Sequence, residues 1–393
     1  MPKTLFECKI CKLNRDSTFT IIKNLPGSAQ LFTKKKNKKN NPINLKIFKC
    51  SFCGVVQIKN TPLTYYKNVI RTTGQSEYLK KIREKQIKKI INELGNKGNF
   101  IEIGCGSGEN LKIFSNYTNN IYGTENSKKN FELCKKNKFK VYNLFLTNSS
   151  HQEIKKKFNC FFIFNFFEHI PNINNFAKNL KKILTDNAIG IIEVPNFDMI
   201  KKKKLYTEII LDHLYYFEKK TLINTLQING LGVIKTKTIF DDYILSVTVK
   251  NKDKKINKKI LQNNFNIQSI NRNLEKSKKK ISLFFKKFKI KSFIVWGAGH
   301  QALTFITHFE IKKYIKYIVD SADFKQNKYA PGSNLKIIDP IMLENEKKIF
   351  NILILVGGYN FEVIKTIKQK YKRFNVYCIG NNNKIIKIKK NNF

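Results

Sequence analysis

In the stretch "LDHLYYFEKKTL", Leu211 to Leu222, an acid (Asp212), a histidine (His213) and two tyrosines (Tyr215 and Tyr216) fall within five positions. A histidine titrates near neutral pH and can take a proton from a reacting centre, while a tyrosine hydroxyl can donate to the charge left behind. In an extended segment His213 and Tyr215 share a face and Asp212 points the other way. The candidate base and donor are therefore His213 and Tyr215, with Asp212 placed to bind substrate. Histidine and tyrosine among leucines also make ordinary core, and Tyr216 and Phe217 read that way.

Three further patterns can hold ligands. Cys8 and Cys11 in "CKIC", with Cys50 and Cys53 in "CSFC", present four thiolates able to close a tetrahedron around a structural Zn2+. The long insertion between the knuckles adds little closure entropy. The second pattern is "FIEIGCGSGEN", where Glu102, Gly104, Gly106 and Gly108 follow a strand-like run and precede a helix-like one. Glycines there let a ligand approach the backbone, and Glu125, at the end of the next strand-like run, can accept from both hydroxyls of a ribose. A second glycine turn, Gly297, Gly299 and Ala302 in "WGAGHQA", precedes Asp320 by about twenty residues, a dinucleotide-like spacing.

These residues need a scaffold that brings strand ends to one edge. The runs "NFIEIG", "NIYGTE", "FKVYNLFL", "NCFFIFNF" and "AIGIIEV" alternate with helical periods, and "GVIKTKTI" and "YILSVTVK" follow. That alternation predicts an α/β fold with an open, mostly parallel sheet. We expect a zinc-binding segment over 1–60, a helical connector over 61–97 with an amphipathic helix from Ser76 to Leu94, and a cofactor domain over 98–250. A solvated, lysine-rich helical linker over 251–290 and a second Rossmann-like unit over 291–393 complete the expected organisation.

The chain of 393 residues has a formal net charge of +47, yet only five of its 75 basic residues are arginine. Nucleic-acid readers depend on Arg for bidentate and stacking contacts, so a solvated lysine surface accounts for this charge better. The start "MPKTLFECKICKLNRD" has no apolar core of signal-peptide length, and no run reaches the roughly 18 apolar residues of a membrane span. A cytoplasmic protein with no membrane partner is expected, its eight cysteines metal-bound or reduced.

The motif "EIGCGSG", the acid Glu125 and "FNFFEHIPNINNFAKNLKKIL" resemble the class I S-adenosylmethionine-dependent methyltransferases. With the cysteine knuckles, "EVPN", "DHLYYF" and the C-terminal "VWGAGHQALTF", "YIVDSADFKQNKYAPGSN" and "KIIDP", the chain is similar to the sugar C-methyltransferase family over nearly its whole length. That resemblance implies a class I methyltransferase sheet, a small N-terminal zinc-knuckle domain and a C-terminal Rossmann-like domain. It implies S-adenosyl-L-methionine held by Glu102, Gly104, Gly106, Gly108, Glu125, Asn165, Glu168 and His169. It also implies C-methylation of a nucleotide-linked 4-keto deoxysugar through an enolate, with Tyr65 or Tyr66 near the sugar. The C-terminal unit would help hold the nucleotide sugar through Gly297, Gly299, Asp320 and Lys325, in a monomer or homodimer. Departures are Gly106-Ser107 where the family often has Asn-Asp, and Asp212 where it has Glu. The competing readings are a zinc-knuckle RNA methyltransferase, an O- or N-methyltransferase acting on a sugar or another small molecule, and a scaffold with a vestigial cofactor fold.

Overall fold

A computed structural model of the chain describes residues 3–37, 41–59, 76–95, 98–147, 149–251, 263–346, 350–371 and 373–389. The four knuckle cysteines lie in a small antiparallel sheet of β1 (Lys3–Glu7), β2 (Asn14–Leu25), β3 (Ile43–Lys49) and β4 (Val56–Ile58). Its fifth strand, β10 (Tyr215–Tyr216), comes from the "LYYF" segment and pairs with β4, Tyr215 opposite Gln57 and Tyr216 opposite Val56. The tyrosine pair is thus an edge strand of the cysteine domain.

The central sheet contains β5 (Phe100–Ile103), β6 (Ile121–Thr124), β7 (Lys140–Tyr142), β8 (Phe158–Phe164), β9 (Leu184–Pro195), β11 (Leu231–Ile239) and β12 (Ile244–Asn251). Their order is β11-β12-β9-β8-β5-β6-β7. The strands from β9 to β7 run parallel, and β12 lies antiparallel to both β9 and β11. The apolar run "FNCFFIF" becomes β8 because a central parallel strand is covered on both faces. The order reverses between β5 and β8, and there the carboxyl ends of the strands open a crevice.

Helix α1 (Glu77–Leu94) has Ser76 as its N-cap, whose Oγ accepts from Leu79 N at 3.1 Å. Its buried Arg83 crosses to β9, where Arg83 Nη1 donates to Glu193 Oε2 at 2.7 Å. Gln86 and Ser246 satisfy Glu193 Oε1, and the guanidinium lies 3.5 Å from the Phe164 ring centre. The glutamate of "EVPN" therefore pins the connector helix to the sheet. Removing one partner of such a pair strands the other charge, so Arg83→Met is expected to lower unfolding stability by about 3–5 kcal/mol, measured by denaturant titration.

The third sheet runs β15-β14-β13-β16-β17-β18, built from β13 (Phe293–Trp296), β14 (Ile315–Val319), β15 (Ile337–Ile338), β16 (Phe350–Ile354), β17 (Phe374–Ile379) and β18 (Ile385–Lys387). It is parallel except for β18. The helix α7 (Gln268–Phe285), seventh of those among the described residues, corrects the expectation of a solvated linker. Ile270, Leu274, Ile281 and Phe285 are buried, because the sparse apolar residues fall on one stripe. That stripe is wedged between two units: Gln268 Nε2 donates to the Phe19 carbonyl of β2, and Ser277 Oγ donates to the Asn382 carbonyl. No helix among the described residues is long and apolar enough to cross a membrane.

Candidate functional site

The glycine turn follows β5 directly. Gly104, Gly106 and Gly108 have φ of 75°, 58° and 92°, a region costly for residues with a Cβ. A Cβ on Gly104 would sit 2.9 Å from the Phe166 ring. Gly104→Ala is accordingly expected to weaken cofactor binding at least tenfold by titration calorimetry, because the turn must open or Phe166 must move.

Around this turn lie buried acids. Glu102 Oε1 accepts from Asn110 Nδ2 at 2.6 Å, while Glu102 Oε2 has no hydrogen-bond partner at 2 % exposure. Burial pushes its carboxyl up to about 8, against the opposing Asn110 bond. Glu125 turns back on the loop, accepting from Gly106 N at 2.9 Å and Ser127 N at 2.7 Å, and burial lifts it to about 7. The orphaned oxygen on Glu102 and the Cβ-free cradle fit a polar, nucleoside-bearing cofactor such as S-adenosyl-L-methionine.

At the end of β8 the chain turns sharply. Asn165 has φ of 49° and donates its backbone N–H to the Glu193 carbonyl at 2.9 Å. The next turn presents Glu168 and His169, both buried. His169 Nδ1 donates to the Asp212 carbonyl at 2.8 Å, leaving Nε2 as the acceptor, 3.8 Å from Glu168 Oε1. Glu168 Oε2 has no partner, and burial pushes that carboxyl up to about 8. His213 completes the group: the donor atoms of Glu168, His169 and His213 all lie within 4.8 Å of one another. Burial first, then His169 and His300, hold His213 well below its ordinary pKa, so its ring is neutral. Burial likewise depresses His169 to about 4.

The cluster "DHLYY" divides differently from the alternating reading. His213 lies in irregular chain before β10, outside the strand that holds Tyr215, so the strand alternation does not extend to it. Tyr215 is 1 % exposed and its hydroxyl donates to the Pro171 carbonyl at 2.9 Å. The tyrosine ring near His213 is Tyr216, 6.1 Å between centres, with its hydroxyl tied to both backbone groups of Ile210. Asp212 Oδ2 accepts from Ala29 N at 3.0 Å, fastening the loop to the cysteine domain. Tyr65 and Tyr66 lie outside the described residues.

In the third sheet, Gly297 has φ of 106°, and a Cβ on Gly299 would meet nothing within 4 Å. Asp320 and Lys325 differ from expectation, however. Asp320 Oδ2 accepts from Ala298 N at 2.7 Å and from Lys325 Nζ at 3.0 Å, and Lys325 is 2 % exposed. These two side chains neutralise each other inside the unit, because a buried charge requires a partner. They leave the glycine turn itself as the open feature.

Sequence reasoning missed three residues here. His300 follows that turn directly, and its Nε2 lies 2.5 Å from Glu208 Oε2. Glu208 Oε1 accepts from the Tyr243 hydroxyl. The His300 ring centre is 5.6 Å from that of His213, so three of the five histidines converge where the central and third sheets meet. The signal was present in "GAGH" but was absorbed into the glycine fingerprint.

The knuckle cysteines also converge. Cys8 and Cys53 sulfurs are 3.5 Å apart, those of Cys11 and Cys50 3.8 Å, and all four lie within 4.8 Å. Zinc–sulfur bonds of roughly 2.3 Å in a tetrahedron place sulfurs just under 4 Å apart, so the donor set fits Zn2+. Ile10 N and Phe52 N approach Cys8 and Cys50 sulfurs at 3.4 Å, and Gln57 Nε2 donates to Cys8 Sγ at 3.1 Å.

A family model described as a methyltransferase domain matches residues 78–236, and one described as a C-methyltransferase C-terminal domain matches residues 246–375. Among solved structures, the chain is similar to an S-adenosylmethionine-dependent methyltransferase from Clostridium acetobutylicum at 10% identity, over 45% of this chain and 93% of that one, with a TM-score of 0.36. It is similar to the N-methyltransferase NodS from Bradyrhizobium japonicum at 13% identity, over 45% and 99% of the two chains, with a TM-score of 0.35. The magnesium protoporphyrin IX methyltransferase from Synechocystis, solved with bound S-adenosylmethionine, gives 13% identity over 46% and 87%, and a TM-score of 0.35. No curated protein matches the chain.

Proposed function

Because the chain belongs to the class I S-adenosylmethionine-dependent C-methyltransferases, we propose that it methylates a carbon next to the ketone of a nucleotide-linked 4-keto deoxysugar, with His213 as the base. The observation that carries this reading is the neutral, buried His213 beside His169 and Glu168, at the meeting of the cofactor sheet and the unit that matches a C-methyltransferase C-terminal domain.

A proton on carbon beside a ketone is acidic only because its loss gives an enolate, so the reaction needs a positioned base with a free lone pair and a pocket from which water is excluded. His213 meets both conditions. His169, fixed by the Asp212 carbonyl, aims its Nε2 lone pair into the same space and accepts a substrate hydroxyl. Glu168, with an unpartnered oxygen and a raised pKa, is protonated near neutral pH and donates there. When bound, S-adenosyl-L-methionine would supply the electrophilic methyl, the carbon's electron pair forming the new C–C bond and the C–S pair staying on sulfur. Glu102, the glycine turn, Glu125 and Asn165 hold that cofactor at the switch point of the central sheet. The turn at Gly297 and Gly299 takes the nucleotide part of the substrate, and Zn2+ on Cys8, Cys11, Cys50 and Cys53 is structural.

The test is to incubate the protein with methyl-labelled S-adenosyl-L-methionine and, separately, nucleoside-diphospho-4-keto-6-deoxyhexoses and total RNA. Label should enter the sugar pool; label in RNA alone contradicts the proposal.

A further inference from the structure

We propose that His300, oriented by Glu208, is the acid of this centre, donating from Nδ1 to the ketone oxygen while His213 takes the proton from the adjacent carbon. The inference rests on the enolate reading above and adds a residue from the third sheet to the chemistry.

Four observations place it there. His300 opens the helix α8 (His300–His308), immediately after the glycine turn, and its side chain keeps 36 % exposure while His213 is 7 % exposed. Its Nε2 is committed to Glu208, so the free donor is Nδ1 on the opposite side of the ring. Glu208 is 4 % exposed and held from behind: the Tyr243 hydroxyl donates to its second oxygen, Gln301 Nε2 reaches that hydroxyl at 3.4 Å, and Gln301 Oε1 accepts from Gly357 N at 2.8 Å. A carboxylate fixed in this way sets the tautomer and the plane of the histidine it grips. Finally, the turn before His300 is uncrowded: a Cβ on Gly299 would meet nothing within 4 Å beyond its chain neighbours.

The groups facing His300 come from four places. Glu208 lies in the 206–208 turn, Asp212 and His213 in the loop beyond it, His169 at the end of β8, and Lys325 in the third sheet. Burial opposes the charged ring and Lys325 adds to that opposition, but Glu208 and Asp212 outweigh both and raise its pKa. His213 is shifted the other way, so one pocket holds a neutral base and a protonated acid at the same pH.

The step balances. The C–H pair becomes the C=C bond, the C=O π pair moves to oxygen and takes the His300 proton, and His213 keeps the carbon's proton. When the carbon takes the methyl, the oxygen returns its proton to His300 as the ketone re-forms, and the proton on His213 leaves to water. The rate should rise with pH as His213 loses its proton and fall at higher pH as His300 loses its own.

The experiment reads two signals from nucleoside-diphospho-4-keto-6-deoxyhexoses: exchange of the carbon-bound proton in D2O and methyl transfer across pH. For His300→Gln we expect both to fall about 10²–10³-fold, the cost of one oxyanion donor, with S-adenosyl-L-methionine affinity unchanged and the alkaline limb of the profile gone. Glu208→Gln, which keeps the ring, should move that limb to lower pH. If the wild type exchanges and His300→Gln exchanges equally with the wild-type alkaline limb, the inference is wrong while the enolate reading stands. If the wild type methylates without any exchange, both fall together. A variant with raised KM alone and an unchanged profile would assign His300 to substrate positioning and overturn its role as acid.

Discussion

His213→Ala is expected to lower methyl transfer about 10³-fold while leaving S-adenosyl-L-methionine binding within twofold of wild type, because a positioned general base contributes roughly 10²–10⁴. The two effects separate because the cofactor cradle is built from β5, β6 and β8, whereas His213 arrives on a loop beyond β9. Single-turnover kinetics beside calorimetry check the claim. Full turnover with intact binding would move the base to another residue.

Cys8→Ser is expected to abolish activity although the proposed role of the knuckle cysteines is only to hold Zn2+. Structural zinc contributes roughly 10–16 kcal/mol in small knuckles, as much as a whole domain's stability, so losing one thiolate should unfold the cysteine sheet. The His213 loop depends on that sheet. β10 is its edge strand, Ile58 N donates to the Leu214 carbonyl at 3.1 Å, and Asp212 is held by Ala29 N. Leu214 N in turn donates to the Glu168 carbonyl at 2.9 Å, and Asn174 Nδ2 to the Ile10 carbonyl at 2.9 Å. Far-ultraviolet circular dichroism should show loss of strand signal in parallel with loss of turnover. An active Cys8→Ser protein with an unchanged spectrum would show that the loop stands without the metal domain.

The parts that the sequence disclosed are those whose geometry is local. A positive φ at Gly104, Gly106 and Gly108 follows from residue type, and Glu125 falls at the next strand end because α/β connections are short. The cysteine pairs announce themselves by spacing. What stayed hidden was made by docking. His300 meets Glu208 across 92 residues, and Arg83 meets Glu193 across 110. The alternation rule assigned Tyr215 to the His213 face because nothing in "DHLYY" reveals that the tyrosines pair with β4. Lys325 and Asp320 each suit a nucleotide sugar when taken singly, and only the fold shows that they pair with each other. The lysine-rich helix α7 looked solvated because its apolar stripe is thin, and only the surfaces on either side of it decide its burial.

The most direct measurement is the bond the methyl group joins. With 13C-methyl S-adenosyl-L-methionine and nucleoside-diphospho-4-keto-6-deoxyhexoses, carbon NMR of the product should show the labelled methyl coupled to a sugar carbon beside the ketone, with that carbon's original proton lost to solvent. A labelled methyl on oxygen or nitrogen would contradict the account.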